Sequence, residues 1–458
     1  MANIKFGTDG WRAILGEDFN DDNFSLVTNA IGKYVFDNYG LEKEIIIGYD
    51  PRKSADEYAK KCANILADKG FVVNLSKNIV PTPVLAYNAG LLNSCAIMFT
   101  ASHNPPEYLG MKFIPDYAGP ATDEITTEIV SNLGKSLDDK QGRVEVIDFL
   151  PTYHVRLNDL IDFEKIKSAK IPFVFDGLYS ATIGYFDKIL DDNGIDYTAI
   201  RMEHDSSFGG GMPDPKPKFI GELINLSKEK SCIGFANDGD GDRFGVVDEK
   251  GEYVSPNEII PILAKHLLVN KGHTGAIVKT VGSSILIEKV AQKLGVEVIE
   301  TAVGFKHVGD AMRKNKVLIG GEESGGLSIG VHIPEKDGII ANLLILEAMA
   351  YSGKSLCELR EDLYKLVDDK HFLTDRIDLK LSDRAEIEKI LNYYGSVSKV
   401  GDWSILRRNT LDGVKLYLSD TTSILIRPSG TEPLLRIYFE TDSKDVLDNL
   451  RKIDYLGF

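Results

Sequence analysis

Between Glu44 and Phe99 the chain repeats one unit, and that repeat restricts the fold more than any other stretch. Glu44-Ile45-Ile46-Ile47-Gly48, Val72-Val73-Asn74-Leu75 and Ala96-Ile97-Met98-Phe99 are apolar runs of strand length, and helical segments at 55–69 and 82–92 fill the intervals. Strand, helix, strand, helix, strand predicts a mainly parallel sheet covered by helices. A further helix over 22–38 precedes it, with Phe24, Val27, Ile31, Tyr34 and Val35 on one face. Two more segments of this kind begin near Ile171-Pro172-Phe173-Val174-Phe175-Asp176-Gly177 and contain Gly275-Ala276-Ile277-Val278-Lys279-Thr280-Val281; a charged helical stretch at 156–168 joins the first two. From Phe372 onward the runs 372–381, 414–418, 423–426 and 434–439 are strand-like, with helices near 383–394 and 443–453, an α+β pattern with an antiparallel sheet.

At 458 residues the chain exceeds what one core supports, so about two to four domains are expected. A net charge of −16 argues against a nucleic-acid or membrane-surface role, since those partners are polyanions that need a basic face. An anionic ligand would therefore require locally concentrated cations. Cys62, Cys95, Cys232 and Cys357 are scattered without a C-x-x-C pair, which argues against a disulfide framework or a zinc site. No apolar stretch reaches the ~18 residues of a membrane span, and the first residues lack a signal-peptide pattern, so a cytoplasmic location is expected.

Four polar loops follow apolar runs. Thr100-Ala101-Ser102-His103-Asn104-Pro105 follows 96–99 and delivers a serine and a histidine to the carboxyl edge of a sheet, where open α/β folds bind ligands. Asp238-Gly239-Asp240-Gly241-Asp242-Arg243 lies between two strand-like runs; alternate carboxylates on a glycine-opened loop converge on one hard cation. A calcium EF-hand shares the spacing of Asp238, Asp240, Asp242 and Glu249, but needs glycine where this chain has Arg243, and helices where it has strands, so Mg²⁺ is the expected ion. Gly320-Gly321-Glu322-Glu323-Ser324-Gly325-Gly326 offers carboxylates to vicinal hydroxyls. Arg427-Pro428-Ser429-Gly430-Thr431-Glu432-Pro433 offers a planar fork, hydroxyls and free N–H groups to a phosphate monoester, with Arg436 nearby. A glycine-rich stretch near the start, with Arg12, is a further anion loop. Together these loops specify phosphoryl transfer on a phosphosugar.

With these motifs in order, FGTDGWR (6–12), TASHNP (100–105), GMKF (110–113), DGDGDR (238–243), GEESG (321–325), EKDG (335–338) and RPSGTEP (427–433), the chain resembles the α-D-phosphohexomutases, the phosphoglucomutases and phosphomannomutases. The resemblance implies an α/β fold of four domains around a central cleft: three α/β domains with mixed, mainly parallel sheets and a smaller α+β C-terminal domain. The implied boundaries are 1–150 (phosphoserine), 151–255 (metal), 256–368 (sugar) and 369–458 (phosphate). It also implies roles. Ser102 carries the catalytic phosphate and, with Asp238, Asp240 and Asp242, binds Mg²⁺. Lys306, Glu322, Ser324 and Lys336 meet the substrate, and Arg427, Ser429, Gly430 and Thr431 hold the non-reacting phosphate. Arg12, Lys112 and Arg243 neutralise charge, while His103, Lys112 and Lys336 are the general acid/base candidates.

The implied reaction interconverts glucose 1-phosphate and glucose 6-phosphate through phosphoserine and glucose 1,6-bisphosphate, which serves as intermediate and activator. The partner is a phosphosugar, with no nucleic acid or membrane; nothing in the sequence indicates an oligomeric state. Two positions depart from the family's pattern. Leu109 stands where many members have asparagine, which bears on hydrogen bonding near the serine loop. Gly326 stands where many dual-specificity phosphomannomutases have histidine, and this, with Gly304-Phe305-Lys306 and His332-Ile333-Pro334, resembles the glucose-preferring branch. A mannose or dual enzyme is the alternative, followed by a phosphoglucosamine mutase and a non-catalytic phosphosugar-binding protein.

Overall fold

A computed structural model describes residues 4–7, 9–381, 383–429 and 434–456. The first sheet is ordered Phe6–Gly7, Gly10–Ile14, Tyr108–Ile114, Cys95–Phe99, Ile45–Tyr49, Val72–Ser76, Arg143–Ile147. Its last four strands are parallel and the first three form an antiparallel edge. Ile45, Ile46 and Ile47 are all buried, as an interior strand of a sheet covered by helices on both faces requires. The helix Asp21–Tyr39 starts where Asn20 accepts the Asn23 N–H, with Asp21 and Asp22 in its first turn.

The second sheet is ordered Tyr253–Val254, Phe244–Val247, Ile233–Asn237, Phe173–Asp176, Thr198–Ile200, and the third Val298–Thr301, Ala276–Thr280, Val317–Gly321, Leu327–Ile329. Both mix parallel centres with antiparallel edges. In the last domain Leu373–Lys380, Leu434–Thr441, Ser423–Pro428, Val414–Tyr417 and Arg407–Asn409 form one antiparallel sheet. The architecture is therefore the expected one, three α/β layers and a smaller α+β unit.

Two elements differ from expectation. The linking helix at 156–168 is two helices, Leu150–Leu160 and Phe163–Ala169, because Asp162 caps the second, accepting the Lys165 N–H at 2.9 Å while its own N–H goes to Glu347 Oε1. The GMKF segment is an unforeseen strand, Tyr108–Ile114, pairing with both Cys95–Phe99 and Gly10–Ile14. Gly110 permits that approach: a Cβ there would lie 2.4 Å from Trp11 O and 2.7 Å from Thr100 O. Leu109, expected to bear on hydrogen bonding near the serine loop, is fully buried apolar core.

One apolar cluster runs from the first sheet (Ile46, Met98) through the second (Phe173, Phe235) and third (Ile277, Ile319) to the buried helix Gly338–Ser352, whereas the last domain has its own core around Leu416, Ile437 and Phe439. Among the described residues no single helix is long and apolar enough to cross a membrane. All four cysteines are free.

Candidate active site

The serine, acidic and sugar loops each leave the carboxyl end of a sheet strand, Cys95–Phe99, Ile233–Asn237 and Val317–Gly321 respectively. Ser102 is buried and held at φ 51°, in the left-handed region that side-chain-bearing residues rarely occupy. Its Oγ donates to Asp238 Oδ2 at 2.7 Å and lies 3.3 Å from His103 Nδ1.

Asp238, Asp240 and Asp242 are fully buried, with carboxylate oxygens within 4.8 Å of one another. Gly241, at φ 74°, makes the turn between them. Asp238 Oδ1 accepts the Arg243 N–H, and Asp240 Oδ2 accepts the Thr82 hydroxyl at 2.6 Å. Asp240 Oδ1 and Asp242 Oδ1 accept no hydrogen bond among the described residues. Burial and then mutual repulsion hold the Asp238 and Asp240 carboxyls above the usual range, Asp238 well above it. Three converging, partly unsatisfied carboxylates beside a serine oxygen fit a hard divalent cation such as Mg²⁺.

Cations surround this centre. Lys112 Nζ lies 2.8 Å from Asp9 Oδ1 and 3.1 Å from Glu335 Oε2; Lys336 Nζ lies 2.6 Å from Asp242 Oδ2 and 3.1 Å from Asp9 Oδ2. Burial opposes both charges, but Asp9 and Glu335 around Lys112, and Asp242 and Asp9 around Lys336, outweigh it and hold both amines above their ordinary values. Arg12 bridges Asp9 Oδ2 and Asn104 Oδ1 at 3.2 and 2.9 Å, and Arg243 is half-buried beside Asp242. His103 is the opposite case: burial, then Arg243 and Arg12, drive its affinity for a proton down and leave the imidazole neutral. The helix Gly338–Ser352 starts against this centre, its Gly338 N–H on Gly241 O at 3.1 Å; a Cβ at Gly338 would lie 2.4 Å from Arg243 O.

The sugar loop is pinned to the acidic loop by the Phe244 N–H on Gly325 O at 3.1 Å. Glu322 Oε1 accepts the Gly304 N–H at 3.1 Å and Oε2 the Ser324 hydroxyl at 3.4 Å; burial, then Glu323, push the Glu322 carboxyl up to about 7. Lys306, two residues beyond Gly304, pairs with Asp123 at 2.5 Å. Arg427 lies near the end of the strand Ser423–Pro428 with its Nε on Asp412 Oδ2 at 2.8 Å, and the same oxygen accepts the Val303 N–H at 3.0 Å. Ser429 is buried; Gly430 and Thr431 lie outside the described residues.

Profiles of all four phosphoglucomutase/phosphomannomutase domains match in order: alpha/beta/alpha domains I, II and III at residues 3–139, 151–251 and 255–367, and the C-terminal domain at 367–453. The chain belongs to the phosphoglucomutase/phosphomannomutase family. A Thermus thermophilus structure named as a phosphomannomutase is 30% identical, with a TM-score of 0.87 over 99% of this chain and 98% of its own. A phosphoglucosamine mutase of Finegoldia magna is 30% identical over 97% of this chain and 95% of its own, and a phosphoglucomutase of Komagataeibacter xylinus 27% over 96% and 87%. Members of this phosphohexomutase family are phosphoryl-transferring isomerases, and the chain is an enzyme of that class.

Of the residues singled out by sequence, Arg12, Ser102, His103, Lys112, Asp238, Asp240, Asp242, Arg243 and Lys336 meet around one centre, with Glu322 and Ser324 on the adjoining loop. Lys306 and Arg427 are instead held by Asp123 and Asp412. Sequence reading passes over Asp9 and Glu335, although each stands inside a quoted motif, because both act by pairing with lysines from other motifs. It also passes over Thr82 and Asp412, for which no local signal exists.

Proposed function

We propose that this phosphohexomutase interconverts glucose 1-phosphate and glucose 6-phosphate by way of phosphorylated Ser102 and a 1,6-bisphosphate. The observation that carries the reading is the 2.7 Å contact between Ser102 Oγ and Asp238 Oδ2, which joins a nucleophilic hydroxyl to a buried carboxylate triad. Bound there by Asp238, Asp240, Asp242 and the serine oxygen, Mg²⁺ would neutralise charge on the transferring phosphoryl group.

The chain's own residues supply the rest. Lys112 and Lys336 are kept cationic by their carboxylate neighbours and act as fixed positive charges, joined by Arg12 and Arg243. His103, neutral and 3.3 Å from Ser102 Oγ, relays the proton of the attacking sugar hydroxyl to the departing Ser102 oxygen, and when the phosphate comes back to serine it carries the Ser102 proton to the departing sugar oxygen. Glu322 and Ser324 orient the sugar hydroxyls, and Arg427 with the loop after it holds the distal phosphate, so either end of the bisphosphate can face Ser102. Lys306, with Asp123, lies on the sugar domain's side. The same reading divides the chain into domains at 1–150, 151–255, 256–368 and 369–458; the three sheets that share a core and the separate last core support that division.

Glucose is assigned from the resemblance of Gly326 and its neighbours to the glucose-preferring branch; a Cβ at Gly326 would lie 2.6 Å from Lys336 Cδ and 2.8 Å from its Cγ, so a histidine there would require Lys336 to move. A second reading, the amino sugar, draws on the phosphoglucosamine mutases among the relatives. Initial rates on glucose 1-phosphate, mannose 1-phosphate and glucosamine 1-phosphate under one condition decide; a glucose preference is expected, and a preference for either other sugar replaces this assignment.

A further inference from the structure

The loop carrying Ser102 turns its backbone carbonyls inward, where a buried acceptor without a donor is costly. A single side chain from a different strand end supplies the donors. Arg52, which is 3% exposed, gives Nη1–H groups to Pro105 O at 2.7 Å and Tyr108 O at 3.0 Å, and Nη2–H groups to Ser102 O and Asn104 O, both at 2.6 Å. Its Nε stands 3.3 Å from Asp50 Oδ2, and the Phe208 ring, centred 5.1 Å from the guanidinium carbon, covers its face. Asp50 extends the frame on the other side. Its Oδ2 accepts the Thr100 hydroxyl at 2.6 Å, so Thr100 Oγ1 has a lone pair free for the Ser102 N–H at 2.7 Å.

We propose that Arg52, braced by Asp50, is a positioning residue that fixes the left-handed conformation of Ser102 and so aims its hydroxyl at Asp238. The inference rests on the reading of Ser102 as the phosphoryl carrier. The chemistry requires a guanidinium: four carbonyls spread along a turn match the planar fork, whereas an ammonium has three donors at one point. A serine at φ 51° is strained unless its surroundings determine it. Arg52 grips the carbonyl of that residue and Thr100 its N–H, so the torsions on both sides are held. The four Nη donors of Arg52 are all taken by loop carbonyls and its Nε faces Asp50, which separates it from the cations that face the cleft.

The test uses the full chain with glucose 1-phosphate, comparing Arg52→Ala, Thr100→Val and Ser102→Ala. Misaiming a nucleophile by about 1 Å costs on the order of 100-fold, so Arg52→Ala should lose about that much kcat while KM changes by less than about threefold. Methylguanidinium, refilling the vacated pocket, should restore kcat about tenfold or more and do nothing for Ser102→Ala. Arg52→Ala with kcat within about threefold of wild type, a loss confined to KM, or no rescue of a folded variant overturns the proposal. If Arg52→Ala does not fold, the nearly isosteric Thr100→Val decides: kcat about tenfold lower at unchanged KM sustains the frame, and wild-type kcat overturns it. Activity in Ser102→Ala sinks the carrier assignment itself, whereas a dead Ser102→Ala beside a fully active Arg52→Ala sinks only the frame.

Discussion

Around Ser102 the polar groups come from three domains and interlock, whereas Arg427 hangs from the Asp412 carboxylate within the last domain, which keeps its own core. The first three domains share a continuous apolar cluster, which cannot part without exposing it to water. The last domain meets them largely through polar contacts: Glu440 caps the helix Ile285–Leu294 by accepting the Ile285 N–H, Lys415 Nζ donates to Val281 O at 2.8 Å, and Lys289 and Arg407 pair with Asp420 and Glu288. The exposed pairs among these contribute about 0–1 kcal/mol each, whereas the buried Glu440 and Lys415 make the firmer charge-assisted contacts of the seam. On the reading proposed above, one end of the cleft holds geometry and the other holds and releases a phosphate. Changes at the first should fall on kcat, and changes at the second on KM.

The sharpest break is Ser102→Ala. Intact-mass measurement of the wild-type chain should show a population about 80 Da heavier that is absent in the variant, with mutase turnover falling to background. A heavier species persisting in Ser102→Ala would place the phosphate elsewhere and dissolve the contrast at its firm end.

Asp240→Asn and chelation come next, each expected to lower kcat by about 100-fold or more with little change in KM. The metal also links to pH. Carboxyls raised in the native state bind more protons than in the unfolded chain, so metal-free stability falls as pH climbs from their ordinary values toward the raised ones. A cation displaces those protons, so Mg²⁺ should raise the thermal midpoint more at pH 8 than at pH 5. Equal shifts at both pH values would refute the triad as the binding site.

Glu322 stands between the two regions, and its effect should be smaller. With its carboxyl pushed up to about 7, the group is mostly protonated a pH unit below that value and mostly ionised a unit above it, and only the ionised form accepts hydrogen bonds from two sugar hydroxyls. The kcat/KM of the wild-type enzyme should therefore rise through about pH 7, and Glu322→Gln should flatten that limb at the cost of about tenfold in kcat/KM at about pH 8. A limb that survives in Glu322→Gln belongs to another group.

How far this was legible in the sequence follows the same division. Strand-length apolar runs announce the sheets, since Ile45-Ile46-Ile47 has few alternatives to a buried strand, and glycine-spaced aspartates announce the acidic loop because the ligands are neighbours in the chain. The break at Asp162 was hidden because helical spacing continues across it and only a cap interrupts it. Asp9 and Glu335 were visible as letters but not as partners: both meet at Lys112, which belongs to a third motif far from either in the chain, and only the folded cleft brings the three together. Asp412 had no signal at all, since an aspartate before a glycine reads as a turn.

The smallest effect expected is at Asp412. Its carboxylate takes the Arg427 Nε–H and the Val303 N–H together, and the next N–H, that of Gly304, goes to Glu322. One aspartate thus holds the guanidinium through Nε and ties the last domain to the loop carrying Gly304; on the proposed reading the Nη groups would bind the distal phosphate. A charge-assisted hydrogen bond of this kind contributes about 1.5–3 kcal/mol, and partial exposure to water reduces it. Asp412→Ala should raise KM for glucose 1-phosphate by about tenfold and leave kcat within about threefold, with Ser102 phosphorylation unchanged. Added salt should weaken binding to the wild-type enzyme more than to the variant, because the variant has already lost the pair that salt screens. A loss of kcat without a change in KM would mean that the distal end also sets the geometry of transfer, and the contrast between the two ends would fail where it is now drawn.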